Sequence, residues 1–149
     1  YTSTRNKENI MTDQNCAYCM EGELVAAFGI KICELETSKV YLFKEQSHPG
    51  RCIVAHKKHV GDMNELTAEE RAAYFEDVAR VARAIMAAFH PDKVNYGAYG
   101  DTGHHLHFHL CPKYKDEFEW GGVFLMNPDK KYLTDAEYAE MIEKIKANM

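Results

Sequence analysis

The segment His105-Leu106-His107-Phe108-His109 carries imidazoles at alternate positions. On an extended strand alternate side chains share a face, so His105, His107 and His109 project together while His104, Leu106, Phe108 and Leu110 project the other way. Three neutral imidazoles on one surface do little for folding. Each brings a donor and an acceptor to satisfy, and protonating all three would crowd like charges. A histidine-rich solvent face and a metal site made of all three rings are the plainer readings. Nucleophilic catalysis gives every ring a role: an imidazole nitrogen attacking phosphorus forms a phosphoramidate and splits one hard displacement into two easier ones. A flanking histidine can then orient the attacking ring, and donors in a neighbouring loop can hold the phosphate oxygens where charge builds up.

Such a loop precedes the histidines. In Gly97-Ala98-Tyr99-Gly100-Asp101-Thr102-Gly103 the glycines let backbone N–H groups approach an anion closely, although ordinary turns use glycine too. The loop is expected between a strand near 93–96 and one near 104–111. Upstream, β-rich runs at 31–35, 39–44 and 51–56, separated by Thr37-Ser38 and His48-Pro49-Gly50, predict an antiparallel meander. Thr67-Ala68-Glu69-Glu70 is a capping box that should start a helix, with Phe75, Val78, Ala79, Ala82, Ile85, Met86 and Phe89 on its apolar face and Pro91 at its end. A second box, Thr134 with Glu137, opens a last helix whose apolar face is Tyr138, Met141, Ile142 and Ile145. Strands, helix, strands, helix without an internal repeat reads as α+β.

The segment from Gly100 through Asp101, Thr102, Gly103 and His104 to Pro112 resembles the histidine-triad (HIT) signature, in which a Gly, a polar residue and a Ser or Thr precede His-x-His-x-His. Cys16-Ala17-Tyr18-Cys19, the segment from Val54 to His59, and a strand with Asn95 follow the family order, so the likeness runs from about Asn15 to Lys115. The resemblance implies a HIT-like fold, an antiparallel sheet with one long central helix and a C-terminal helix, that usually pairs as a homodimer. It implies hydrolysis or transfer at the α-phosphate of a small-molecule nucleotide, such as a dinucleoside polyphosphate or a nucleoside phosphoramidate. It assigns His107 as the nucleophile and His109 as the third triad histidine, which contacts phosphate. Thr102 becomes the hydroxyl near the scissile bond, and Asn95, after a one-residue gap, the phosphate-side asparagine; Gly100, Asp101 and Gly103 complete the substrate loop. Where the family often has Gln, Val and Pro, this chain has Asp101, Gly103 and His56, and a carboxylate at position 101 would repel a polyphosphate leaving group.

Cys16 and Cys19, at Cys-x-x-Cys spacing, suit a redox motif, two buried thiols, or half of a tetrahedral zinc site. With His59 and His105 downstream, a Cys2His2 site is the economical reading, and many bacterial members of the family resemble it. Four protein ligands leave no open position, so the zinc would be structural and would hold His105, and through it His107, in place. Cys33, Cys52 and Cys111 read as small core residues. His48, His56, His90 and His104 read as surface or helix-end residues, Arg51 as a solvated strand end, 113–119 as a solvated charged loop, and Trp120 as packed.

The chain has 149 residues, enough for one core, and a formal charge of -5, which argues against a polymeric nucleic-acid binder. No apolar run nears the roughly 18 residues that would span a bilayer. We expect a flexible N-terminal arm over residues 1–14, a single HIT domain over 15–149, and a cytoplasmic setting. A nucleotidyltransferase, a non-catalytic nucleotide-binding module and a Cys16/Cys19 redox protein are the alternatives to a hydrolase.

Overall fold

A computed structural model of the chain describes residues 13–149 and contains the expected α+β architecture. Two short helices, α1 (Ala17–Met20) and α2 (Gly22–Ala26), lead into the meander β1 (Gly29–Glu34), β2 (Ser38–Phe43) and β3 (Cys52–His56). The long helix α3 (Ala68–Phe89) follows, then β4 (Lys93–Gly97), β5 (His107–Lys113) and the C-terminal helix α4 (Asp135–Ala147). The strands form one sheet in the order β1-β2-β3-β5-β4, every neighbouring pair antiparallel. Up to residue 12, the expected N-terminal arm lies outside the described residues.

The pairing register decides which side chains share a face. Tyr41 lies opposite Ile53, Ile53 opposite His109, Ala55 opposite His107, and Gly97 opposite His109, so these residues look out on one side of the sheet. There Tyr18 of α1 and Val25 of α2 join Tyr41, Phe43, Ile53 and Ala55 in a small buried cluster. On the other side Val40, Leu42, Cys52, Val54 and Leu110 meet α3 and α4 in the main core.

Both capping boxes form. Thr67 accepts from the N–H of Glu70 at 3.1 Å and Glu70 accepts from the N–H of Thr67 at 2.9 Å; Thr134 and Glu137 repeat the pattern. At the far end of α3, His90 takes a left-handed φ of 52° and its N–H closes on the Met86 carbonyl, immediately before Pro91. The buried face of α3 is rotated from the expected one: Tyr74, Val81 and Ala84 are buried, whereas Phe75 and Met86 are 38% and 40% exposed. Two polar anchors, invisible to a hydrophobic pattern, set this rotation. The Tyr74 hydroxyl donates to the Val54 carbonyl at 2.7 Å, and the Asp77 carboxylate accepts from the Thr37 N–H, the Thr37 hydroxyl and the Ser38 hydroxyl in the β1–β2 turn.

The first three strands lie within two residues of their expected positions. β5 begins at His107, later than the sequence suggests, so His105 lies in a bend and not on the strand face with His107 and His109. Leu106 explains the bend, because its N–H donates to the Val60 carbonyl at 2.7 Å while its carbonyl accepts from the His56 N–H at 2.9 Å.

Candidate active site and metal centre

Each triad imidazole is buried, and each has one ring nitrogen engaged by a partner that dictates what the other can do. His107 Nδ1 lies 2.7 Å from the His105 carbonyl. A carbonyl only accepts, so the proton sits on Nδ1 and the Nε2 lone pair is left for chemistry. His105 Nε2 meets the His56 carbonyl, which places its proton there and its lone pair on Nδ1. His109 Nδ1 lies 3.0 Å from Nη2 of Arg51, a group that only donates, so His109 carries its proton on Nε2. Burial holds His107 below the usual imidazole range. Burial first, then the nearby Arg51 and His107, push His109 down to about 3. The site therefore presents neutral rings at neutral pH.

His107 and His109 line a cavity of about 620 Å³, a volume that suits a small organic ligand. Phe28, Phe43 and Ile53 give it an apolar wall, while Thr102, Gly103 and Asn127 supply polar edge. Gly103 lies against His107: a Cβ built there would be 3.4 Å from Cε1 of that ring. A Cβ on Gly97, opposite His109, would lie 2.5 Å from the Tyr99 ring and 2.8 Å from Phe124, so a side chain there would have to displace both rings. A smaller recess of about 140 Å³ opens on another side of His107, between Gly61–Met63 and the glycine loop.

At one end of the cavity, Cys16, Cys19, His59 and His105 converge, their ligand atoms all within 4.8 Å of one another. Nδ1 of His105 lies 3.3 Å from Cys16 Sγ, 3.5 Å from Cys19 Sγ and 3.2 Å from His59 Nδ1; His59 Nδ1 is 3.3 Å from Cys19 Sγ. A tetrahedral zinc with Zn–S and Zn–N bonds near 2.3 and 2.0 Å needs ligand–ligand edges of about 3.3–3.8 Å, so these residues fit the ion. The outer contacts fit as well: His105 Nε2 is bound to the His56 carbonyl, and His59 Nε2 faces the Asp13 carboxylate at 3.7 Å. Tyr18, inside the Cys-x-x-Cys turn, packs on His105 and His107 with centroids 5.4 and 5.1 Å apart, tying this cluster to His107.

Of the glycine-loop residues expected to meet substrate, Thr102 and Gly103 line the main cavity, and Gly100 and Gly103 line the recess. Asp101 is exposed in the loop and borders neither space. Asn95 pairs with Cys111, two residue pairs beyond the Gly97–His109 level, and does not line either cavity. His90 and His104 are exposed, but His48 and His56 are not the surface residues expected. His48 is 2% exposed and bonded to Glu119 at 2.7 Å; His56, 3% exposed, accepts from the Lys58 N–H and packs on Tyr74. Lys113 likewise leaves the expected solvated loop, buried with its Nζ on the carbonyls of Glu119 and Gly122.

Arg51, read from sequence as a solvated strand end, is fully buried beneath His109. Its position two residues before Ile53 puts it on the cavity face of β3, a signal visible once β3 is registered against β5.

An antiparallel sheet whose C-terminal strand begins within His-x-His-x-His, beside a Cys2His2 cluster, defines a histidine-triad protein. The HIT domain model matches residues 29–116, more than half of the chain, and the chain belongs to this family. It is 29% identical over 123 residues to Protein hit of Bacillus subtilis, covering 78% of this chain and 83% of that one. It is 26% identical over 116 residues to the adenosine 5'-monophosphoramidase of Schizosaccharomyces pombe, covering 72% and 80%. Among solved structures it resembles a histidine triad protein from Sinorhizobium meliloti (TM-score 0.80, 20% identity, 97% of this chain and 100% of that one). It also resembles a Zn-bound histidine triad family protein from Mycobacterium smegmatis (TM-score 0.64, 23% identity, 89% and 91%). At these identities the two structures speak for the fold. Among the described residues no helix is long and apolar enough to cross a membrane.

Proposed function

We propose that this protein hydrolyses small nucleotides at the α-phosphate through a covalent nucleotidyl-histidine. The observation that carries the reading is the 2.7 Å contact between His107 Nδ1 and the His105 carbonyl, which leaves the Nε2 lone pair available on a cavity-lining ring. In the first step Nε2 attacks the α-phosphorus. The N–P bond forms as the bond to the leaving group breaks, and the leaving group departs with that electron pair and takes up a proton. The ring gains positive charge at this moment, which strengthens the Nδ1–H bond to the His105 carbonyl. His109 Nε2–H, the Thr102 hydroxyl and loop N–H groups are the donors for the phosphoryl oxygens. Water then attacks phosphorus as the N–P bond breaks and returns its electron pair to Nε2; the water oxygen goes to the nucleoside monophosphate, its surplus proton to solvent, and His107 is restored.

The relative in Schizosaccharomyces pombe named as an adenosine 5'-monophosphoramidase supports this chemistry. The apolar wall of Phe28, Phe43 and Ile53 suits a nucleobase. Asp62 lines the recess beside His107, so an anionic leaving group that entered it would meet a carboxylate. That favours a phosphoramidate over a dinucleoside polyphosphate.

Zinc on Cys16, Cys19, His59 and His105 belongs to the same proposal, supported by the donor set, the edge lengths and the Zn-bound likeness. When bound it would hold α1 against the bend that carries His105; with four protein ligands it has no open position for substrate.

The test is release of nucleoside monophosphate from a panel of adenosine and guanosine phosphoramidates and dinucleoside polyphosphates, with the intact protein and His107→Ala. Turnover should be highest on the phosphoramidates and fall below detection in the variant, with zinc content and fold unchanged. No turnover by the intact protein on any member would overturn the hydrolase reading.

A further inference from the structure

Arg51 is the largest fully buried side chain of the described residues, and it carries a charge. No carboxylate pairs with it within ion-pair distance among those residues. Nη1 donates to the Leu125 carbonyl at 3.0 Å, Nη2 to the Met126 carbonyl at 2.9 Å and to His109 Nδ1 at 3.0 Å, while Nε has no partner. The guanidinium lies over the Phe43 ring at 4.2 Å and the Phe124 ring at 4.9 Å. Burying an unpaired cation is costly, and a site walled by phenylalanines would be filled more favourably by an apolar side chain of similar size. A purely structural plug does not account for it.

The backbone at Arg51 is set as firmly as the side chain. Gly50 takes φ +94°, and a Cβ there would lie 2.6 Å from the Phe89 ring. Gln46 accepts from the Gly50 N–H at 2.8 Å, and the Phe43 N–H donates to the Arg51 carbonyl at 3.0 Å. The fork is thus aimed at His109 from a rigid turn.

We propose that Arg51 is a positioning residue for His109: by donating to Nδ1 it locks that ring as the Nε2–H tautomer that hydrogen-bonds the substrate's phosphoryl group, and the phosphoryl anion is the counter-ion its buried charge lacks. The assignment rests on the hydrolase reading above for the substrate, and on geometry alone for the hold on His109. A guanidinium neither accepts a hydrogen bond nor gives up its proton in proteins, so it cannot tolerate the other tautomer. Lysine would restore the charge without the fork, since one Nη2 serves both His109 and the Met126 carbonyl while Nη1 reaches Leu125. The low proton affinity of His109 agrees with a cation held against it.

The experiment uses the full-length zinc-loaded protein labelled with 15N-histidine, with His109 assigned from the spectrum of His109→Gln. Long-range proton–nitrogen correlations report which ring nitrogen carries the proton. In the intact protein His109 should show a protonated Nε2 and an acceptor Nδ1. In Arg51→Met it should populate both tautomers, and kcat should fall about 100-fold, the loss typical of one misplaced oxyanion donor, with a smaller change in KM. Arg51→Lys should recover part of kcat and little of the tautomer bias. A proton on Nδ1 in the intact protein overturns the proposal, as does an Arg51→Met protein with tautomer and kcat unchanged. Should Arg51→Met fail to fold, the intact spectrum and Arg51→Lys still decide. If no nucleotide is turned over yet the tautomer depends on Arg51, the hydrolase reading and the counter-ion role fall and the hold on His109 stands.

Discussion

Whatever one nitrogen of an imidazole is bonded to decides what the other can do, and here three histidines in five residues are sent to three tasks by three partners. The His105 carbonyl leaves His107 a lone pair on Nε2, the His56 carbonyl leaves His105 a lone pair on Nδ1, and Arg51 leaves His109 a proton on Nε2. The same burial has a cost in acid. His109 titrates at about 3 when folded against 6.5 ordinarily, so as pH falls through 6.5 the unfolded chain takes a proton that the folded one refuses. The folded state binds fewer protons throughout that window, so its stability is fully present above 6.5 and declines until the folded ring itself protonates near 3. At pH 5 the loss from this one ring is about 2 kcal/mol. Urea midpoints at pH 7.5 and 5 and constant free zinc should therefore shift more in the intact protein than in His109→Gln; equal shifts would show that His109 is not held neutral. At this scale the sequence marks His105, His107, His109, Cys16 and Cys19 by type and spacing, and the family resemblance adds His59. Arg51 could not be found that way, because its meaning depends on which strand lies beside β3.

Elements were legible where local chemistry decides them. Two capping boxes place the starts of α3 and α4 because side chain and backbone satisfy each other within one turn. The rotation of α3 and the late start of β5 were not legible, since Tyr74, Asp77 and Leu106 act through partners far along the chain. The least self-sufficient element is α1, four residues long and with no side-chain cap. A helix that short does not hold itself together, and its fixed points are Cys16, Cys19 and the Tyr18 ring. Loss of zinc should therefore loosen α1 before the sheet. A metal present at about a thousandfold over its dissociation constant contributes about 4 kcal/mol, or about 10 °C in Tm for a chain of this size. Calorimetry with and without a chelator should show a fall of that order in the intact protein and none in His59→Ala. A melting temperature indifferent to chelation in both would mean the four residues pack as thiols and imidazoles without an ion.

For the whole molecule, the sheet order leaves β4 at an edge, one strand away from the triad. An edge strand offers unpaired backbone groups to any second strand, and proteins either block that edge or use it. Lys93 could serve as a block, but Tyr96 on the same strand is 52% exposed and Tyr99 just beyond it 45%. Large aromatics at an edge favour use over blocking, because each covers apolar area when a partner arrives. The family resemblance points the same way, toward a homodimer, and we expect two copies to meet along β4 so that each triad lies one strand from the join. Light scattering at micromolar concentration should give twice the chain mass. Tyr96→Lys, which sets two like charges at the join and removes two rings from it, should shift the protein toward the monomer without loss of zinc. A monomeric intact protein would mean that Lys93 suffices to keep the edge single and that Tyr99 serves the cavity alone, through its packing over Gly97 and against Phe124.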